Sequence, residues 1–235
     1  MTKSENSMSY VITPAIIPCL QVRGSSNYYP VNRIFCVGRN YAKHVVEMGY
    51  DPEREAPFFF QKSSDSILVE GTDFVYPDKT IEVHHEVELV VALKTGGKNL
   101  SRAEATSNIY GYAVGLDMTR RDLQAELKSM GRPWEISKSF DGSAPCSAII
   151  QSDDIGHPTK GEISLKKNGS LCQEGYLQQM IWKVPEIIAY LSEFCTLMPG
   201  DLIFTGTPSG VGPVQRGDNL KCTIDGVGTL DVGVV

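Results

Sequence analysis

HHEVELVV, residues 84–91, decides how the rest of this 235-residue chain is read. Val87, Leu89, Val90, Val91 and the following Ala92 form a nearly continuous apolar run, the pattern of a strand buried on both faces. Glu86 and Glu88 interrupt it. Side chains two apart in a strand share a face, and two buried neighbouring carboxylates are costly unless something positive lies between them. Either that face looks into water, as for most Glu-x-Glu pairs in strands, or it holds a cation.

Working outward, IFCVG (34–38) reads as a short buried strand, followed by RNYAKHVVEMG, a helix with Asn40 as N-cap and Gly49 as its stop. FFFQKSS opens another extended piece. Ser101 and Glu104 stand at capping-box spacing, and GYAVGLD (111–117) is a strand ending at Asp117. A helix is predicted over 119–131, with Leu123, Leu127 and Met130 on one stripe. Asn168-Gly169 is a hairpin turn signal, and 184–197 reads as an amphipathic helix with Pro185 in its first turn. Strands outnumber helices and do not alternate with them as βαβ units, which favours an α+β fold. One domain is expected, preceded by a Pro-punctuated arm over residues 1–32.

Composition bounds the function. With 41% hydrophobic and 21% charged residues, the chain has the balance of a globular protein. A net charge of −6 argues against nucleic acid or an anionic membrane as partner. It leaves room for an anionic substrate, because a bound metal or a few local cations reverse the field inside a cleft. The six cysteines contain no C-x-x-C pair, which predicts reduced thiols and a cytoplasmic setting, with Cys36 and Cys146 in the core.

Three groups of residues carry candidate chemistry. Glu86, Glu88 and Asp117, if they converge, would offer oxygen ligands to a hard cation such as Mg²⁺ or Mn²⁺ and leave positions open for water and substrate; the alternative for Asp117 is to cap the next helix. His44 and Glu47 share a face of a predicted helix, an arrangement suited to general-base activation of water and equally to a surface ion pair. Lys138 follows Arg120, Arg121, Lys128 and Arg132, most of which read as a solvated helix face, but its apolar-aromatic setting suits an oxyanion or carboxylate contact. TGTPSGVGP (205–213) matches neither the P-loop nor G-x-G-x-x-G and reads as a tight loop lining a pocket.

The runs IFCVGRNYAKHVVEMG, HHEVELVV, YGYAVGLDMTRRDLQ, GRPWEISKSFD and GDLIFTGTPSGVGPV, taken in this order, resemble the fumarylacetoacetate hydrolase family. They resemble most nearly its acylpyruvase and fumarylpyruvate hydrolase group. The resemblance spans residues 33–235 as one catalytic domain and implies mixed, rolled β-sheets with a few flanking helices, assembled as a homodimer. It implies that Glu86, Glu88 and Asp117 ligate Mg²⁺ or Mn²⁺, that His44 and Glu47 activate water, and that Lys138 is the active-site lysine. Arg121, Gln124 and Thr207 match positions that contact substrate. Lys62 does too, although this chain has Gln61-Lys62-Ser63 where relatives often carry Lys-Pro.

The activity so implied is metal-dependent hydrolysis of the C–C bond of a small anionic 2,4-dioxo acid, with fumarylpyruvate giving fumarate and pyruvate. Decarboxylation or keto–enol tautomerisation of oxaloacetate would use the same ligands. A non-catalytic binding protein that kept the fold is the rival of another class.

Overall fold

The structure, a computed structural model, describes residues 9–42 and 55–235. Its strands are β1 (Cys19–Gln21), β2 (Tyr28–Pro30), β3 (Ile34–Gly38), β4 (Phe58–Lys62), β5 (Ile67–Val69), β6 (Val83–His85), β7 (Val87–Leu93), β8 (Ile109–Leu116) and β9 (Thr119–Arg120). They continue as β10 (Ala144–Cys146), β11 (Ile150–Gln151), β12 (Glu162–Lys167), β13 (Ser170–Tyr176), β14 (Leu202–Phe204), β15 (Gly212–Val214), β16 (Asn219–Ile224) and β17 (Gly228–Gly233). The main sheet runs β4-β3-β14-β7-β8-β10-β5, with β11 also paired to β8. A second sheet runs β13-β12-β16-β17, and a small one β15-β6-β9. Parallel and antiparallel pairs are mixed: β14 lies parallel to β3 and antiparallel to β7. This is the α+β arrangement of curled sheets with few helices. Among the described residues no helix is long and apolar enough to cross a membrane.

β7 is central and buried along its whole length, as its apolar run predicts. Its period of two splits it between two cores. Val87, Leu89, Val91 and Leu93 enter the larger cluster with the Val184–Phe194 helix and the second sheet. Val90 and Ala92 enter a smaller one with Ile34, Cys36 and Phe204. Each aliphatic side chain so buried is worth about 1.5–3 kcal/mol. The stretch expected to be an arm contributes to that smaller cluster through Leu20, Val22, Tyr29 and Val31, with β1 and β2 paired antiparallel.

Several local signals act as their chemistry dictates. Ser101 and Glu104 form the reciprocal capping box. Asn168 and Gly169 both take positive φ (51° and 81°) to turn β12 into β13, as a two-residue hairpin of this twist requires. Cys36, Cys146 and Cys222 are buried thiols, and desolvation pushes all three pKa values up.

Two helix readings change. The helix predicted over 119–131 spans Arg121–Ser129, because Thr119 and Arg120 pair with β6 instead. Its Leu123–Leu127–Met130 stripe does not enter the core; Met130 is exposed and the buried residue is Gln124. The helix predicted over 184–197 ends at Phe194. The predicted helix containing His44 and Glu47 lies outside the described residues.

Candidate active site

Strand register assembles the acidic cluster. In the β7–β8 ladder Val87 pairs with Leu116 and Glu88 with Gly115, and the Asp117 N–H donates to the Glu86 carbonyl at 2.8 Å. Asp117 therefore sits opposite Glu86, and all three acids fall on one face. Gly115, directly opposite Glu88, has no room for a side chain: a Cβ there would lie 2.5 Å from Val90 Cγ2 and 2.7 Å from Phe204 Cε1. Ligand atoms of Glu86, Glu88 and Asp117 lie within 4.8 Å of one another, and all three residues are buried. The face does not look into water. The reading of Asp117 as a helix cap is excluded, since Arg120 precedes the helix and Asp117 is held elsewhere.

Cations fill the face. Lys138 Nζ donates to Asp117 Oδ2 at 2.7 Å and to Glu86 Oε2 at 2.8 Å. Burial alone would lower the Lys138 pKa, but the Asp117 and Glu86 charges outweigh it and hold the ammonium above its ordinary value. Lys62 Nζ stands 2.9 Å from Asp117 Oδ1 and 3.1 Å from the Met118 carbonyl, and also reaches the Lys138 carbonyl. The Arg121 guanidinium pairs with Glu86 Oε1 through Nη2 and donates to Gln124 Oε1 at 2.6 Å through Nη1. Arg121, whose local sequence reads as a mostly solvated basic face, and Lys138, whose apolar-aromatic setting suits a carboxylate contact, are both part of the cluster.

Glu88 differs from its neighbours. Its Oε2 accepts the Gly206 N–H at 2.7 Å, and Gly206 can make that approach because it holds φ 95°. Burial first, then the Asp117 and Glu86 charges, push the Glu88 pKa well above the usual carboxylate range. A buried acid of this kind is stabilised as an anion by a cation placed among the three groups. Asp117 Oδ1, sealed from solvent, makes an ion pair but no hydrogen bond. An all-oxygen donor set of three convergent carboxylates fits a hard divalent cation.

The cluster floors an open cleft of about 530 Å³. Arg121, Gln124, Lys138 and Thr207, all singled out from the sequence, line it; Lys62 lies behind, against Asp117. His44 and Glu47 lie outside the described residues. The 205–213 segment lines the cleft through Thr207 and supplies a backbone N–H to Glu88, the role expected of it.

Sequence reasoning misses the supports. Gln173 on β13 is fully buried: its Oε1 meets His85 Nδ1 at 2.9 Å and accepts the Val87 N–H at 3.1 Å, while its Nε2 donates to Thr207 Oγ1 and the Pro208 carbonyl. With every amide position used, it ties the 205–213 loop to the start of β7. Asn40 likewise bridges the Trp182 backbone and the Thr205 carbonyl. Phe58, Phe60 and Trp134 add an aromatic wall to the cleft.

Residues 33–235 match the family described as fumarylacetoacetate (FAA) hydrolase C-terminal. A crystal structure of fumarylpyruvate hydrolase from Pseudomonas aeruginosa, in complex with Mn²⁺ and pyruvate, is similar with a TM-score of 0.94 and 48% identity, covering 97% of this chain and 99% of that one. A mitochondrial oxaloacetate tautomerase of Mus musculus is 46% identical over 83% of this chain and 87% of its own length. An oxaloacetate tautomerase of Escherichia coli is 42% identical over 84% and 90%.

Proposed function

Because the chain belongs to the fumarylacetoacetate hydrolase family, we propose that it hydrolyses the C–C bond of a 2,4-dioxo acid, with fumarylpyruvate as substrate and fumarate and pyruvate as products. One observation supports the choice within the family: the Pseudomonas fumarylpyruvate hydrolase superposes on 97% of the chain with a TM-score of 0.94 at 48% identity.

Glu86, Glu88 and Asp117 would hold Mg²⁺ or Mn²⁺. Bound there, the ion supplies Lewis-acid charge for a 2-keto acid and for the enolate that leaves it. Arg121, with Gln124 and Thr207, receives the substrate's carboxylate end, and Arg121 is already oriented by its contacts to Glu86 and Gln124. His44, supported by Glu47, takes a proton from water as its oxygen attacks C4. The C3–C4 bond breaks, its electron pair passes into the pyruvate enolate, and C3 is then protonated. Lys138, held charged by Asp117 and Glu86, stands close enough to the floor to stabilise the developing oxyanion. Lys62 acts from behind, by balancing Asp117 and so positioning Lys138. The protein acts in the cytoplasm as a homodimer in this reading.

The second reading is oxaloacetate keto–enol tautomerisation, supported by the tautomerase relatives at 42–46% identity; oxaloacetate decarboxylation would need the same floor. Neither requires an activated water. His44→Ala separates them: hydrolysis of fumarylpyruvate should fall by about 100-fold or more, and turnover equal to wild type would remove the assigned base.

A further inference from the structure

We propose that His84 is a positioning residue: anchored by Glu82, its neutral imidazole fixes the Arg121 guanidinium in the pose that receives a carboxylate. This rests on the carboxylate-binding role proposed for Arg121 and extends it one residue outward from the cleft.

Backbone pairing sets the distance between the two residues. β6 is the middle strand of the β15-β6-β9 sheet, with His84 opposite Thr119 on one side and Pro213 on the other. Just past that register the Arg121 N–H donates to the Glu82 carbonyl at 2.8 Å, and Asp122 Oδ2 accepts the Ile81 N–H at 2.8 Å. The start of the Arg121–Ser129 helix is thereby pinned to the strand that carries His84. The side chains then meet: Arg121 Nε lies 3.4 Å from His84 Nδ1.

That contact settles the state of the ring. A guanidinium nitrogen only donates, so Nδ1 is the accepting nitrogen and the imidazole is neutral, with its proton on Nε2. Glu82 Oε1, 2.8 Å from Nε2, accepts that proton's hydrogen bond. The tautomer is assigned from these partners on both sides of the ring.

The consequence falls on Arg121. Nε is held by His84, Nη1 by Gln124 Oε1 and Nη2 by Glu86 Oε1. Each guanidinium nitrogen thus has one partner among the described residues, and one N–H on each Nη is left to offer a carboxylate. Gln124 and Glu86 hold the tips of the fork. His84 holds Nε, where the planar group joins its flexible stem, and so fixes rotation there.

The test compares wild type, His84→Leu, His84→Asn, Glu82→Ala and Arg121→Lys. Asparagine keeps an acceptor oxygen near the place of Nδ1; leucine keeps the bulk without it. Pyruvate binding to the Mn²⁺-loaded protein is read by calorimetry, beside KM and kcat for fumarylpyruvate. His84→Leu should weaken pyruvate binding and raise KM by about ten-fold, the loss of one charge-assisted contact, with kcat within about three-fold of wild type. His84→Asn should restore both to within about three-fold. In the Arg121→Lys background, His84→Leu should add less than about two-fold, because the contact is already gone. Should leucine at 84 impair folding, Glu82→Ala, at an exposed side chain, reports in the same direction by about three-fold. Pyruvate affinity within two-fold of wild type in both His84→Leu and Glu82→Ala overturns the proposal, as does an asparagine variant no better than leucine. If Arg121→Lys itself binds pyruvate as wild type does, the carboxylate role of Arg121 falls too, which separates the two failures.

Discussion

The Lys138 ammonium lies 2.7 Å from the Asp117 carboxylate, and both side chains are sealed from solvent. Such a pair is costly to bury and more costly to break, because removal of one partner strands the other. Here the ammonium also contacts Glu86, so it compensates two of the three acids that the β7–β8 register brings together.

Lys138→Met should therefore destabilise the metal-free protein by about 3–5 kcal/mol. Added Mg²⁺ or Mn²⁺ should restore part of that loss, since the metal and the ammonium serve the same carboxylates. Urea denaturation with and without metal checks this, and equal losses in both conditions would contradict it.

Glu88→Gln keeps the shape and an oxygen to accept the Gly206 N–H but removes a buried negative charge. The metal-free variant should be as stable as wild type or more so, by up to about 2 kcal/mol. Its affinity for Mn²⁺ should fall by about 100-fold, the cost of losing one charged oxygen ligand. Thermal melts and titration calorimetry report the two effects separately.

Gln173→Leu removes four hydrogen bonds, at His85, Val87, Thr207 and Pro208. Unsatisfied buried partners make the loss about 2–4 kcal/mol. Thr207 also loses its anchor, so KM should rise more than kcat falls. Steady-state kinetics beside a denaturation curve would show whether the loop and the fold are both affected.

Asp122 sits in the first turn of the Arg121–Ser129 helix. Burial pushes its carboxyl up, but the hydrogen bonds it accepts from the Ile81 N–H, Thr80 Oγ1 and the Leu123 N–H outweigh burial and hold it below the ordinary value. Its folded pKa lies under its unfolded one, so its stabilisation is present above about pH 4 and is lost as pH falls through the folded value. Asp122→Ala should cost about 1 kcal/mol at neutral pH and flatten the acid limb of the stability profile. An acid limb identical to wild type would contradict this.

How much of this was legible in the sequence depends on range. Strand parity alone puts Glu86 and Glu88 on one face, and the apolar run around them signals burial. That Asp117 joins them needs the β7–β8 register, which the resemblance supplied and the residues alone did not. The Leu123–Leu127–Met130 stripe has helical spacing, but its helix lines the cleft, so the positions that face it are Arg121 and Gln124 rather than leucines. Gln173 was invisible because its partners are 34 to 88 residues away, and a lone polar residue in a strand carries no local mark of that.

The most direct test of the central claim is the loss of fumarylpyruvate enol absorbance by EDTA-stripped protein, with Mg²⁺ or Mn²⁺ added back and oxaloacetate run beside it. The account predicts no loss without metal and rapid loss with it, yielding fumarate and pyruvate in equal amounts. Metal-dependent action on oxaloacetate alone, with fumarylpyruvate untouched, would contradict the hydrolase assignment while leaving the carboxylate site in place.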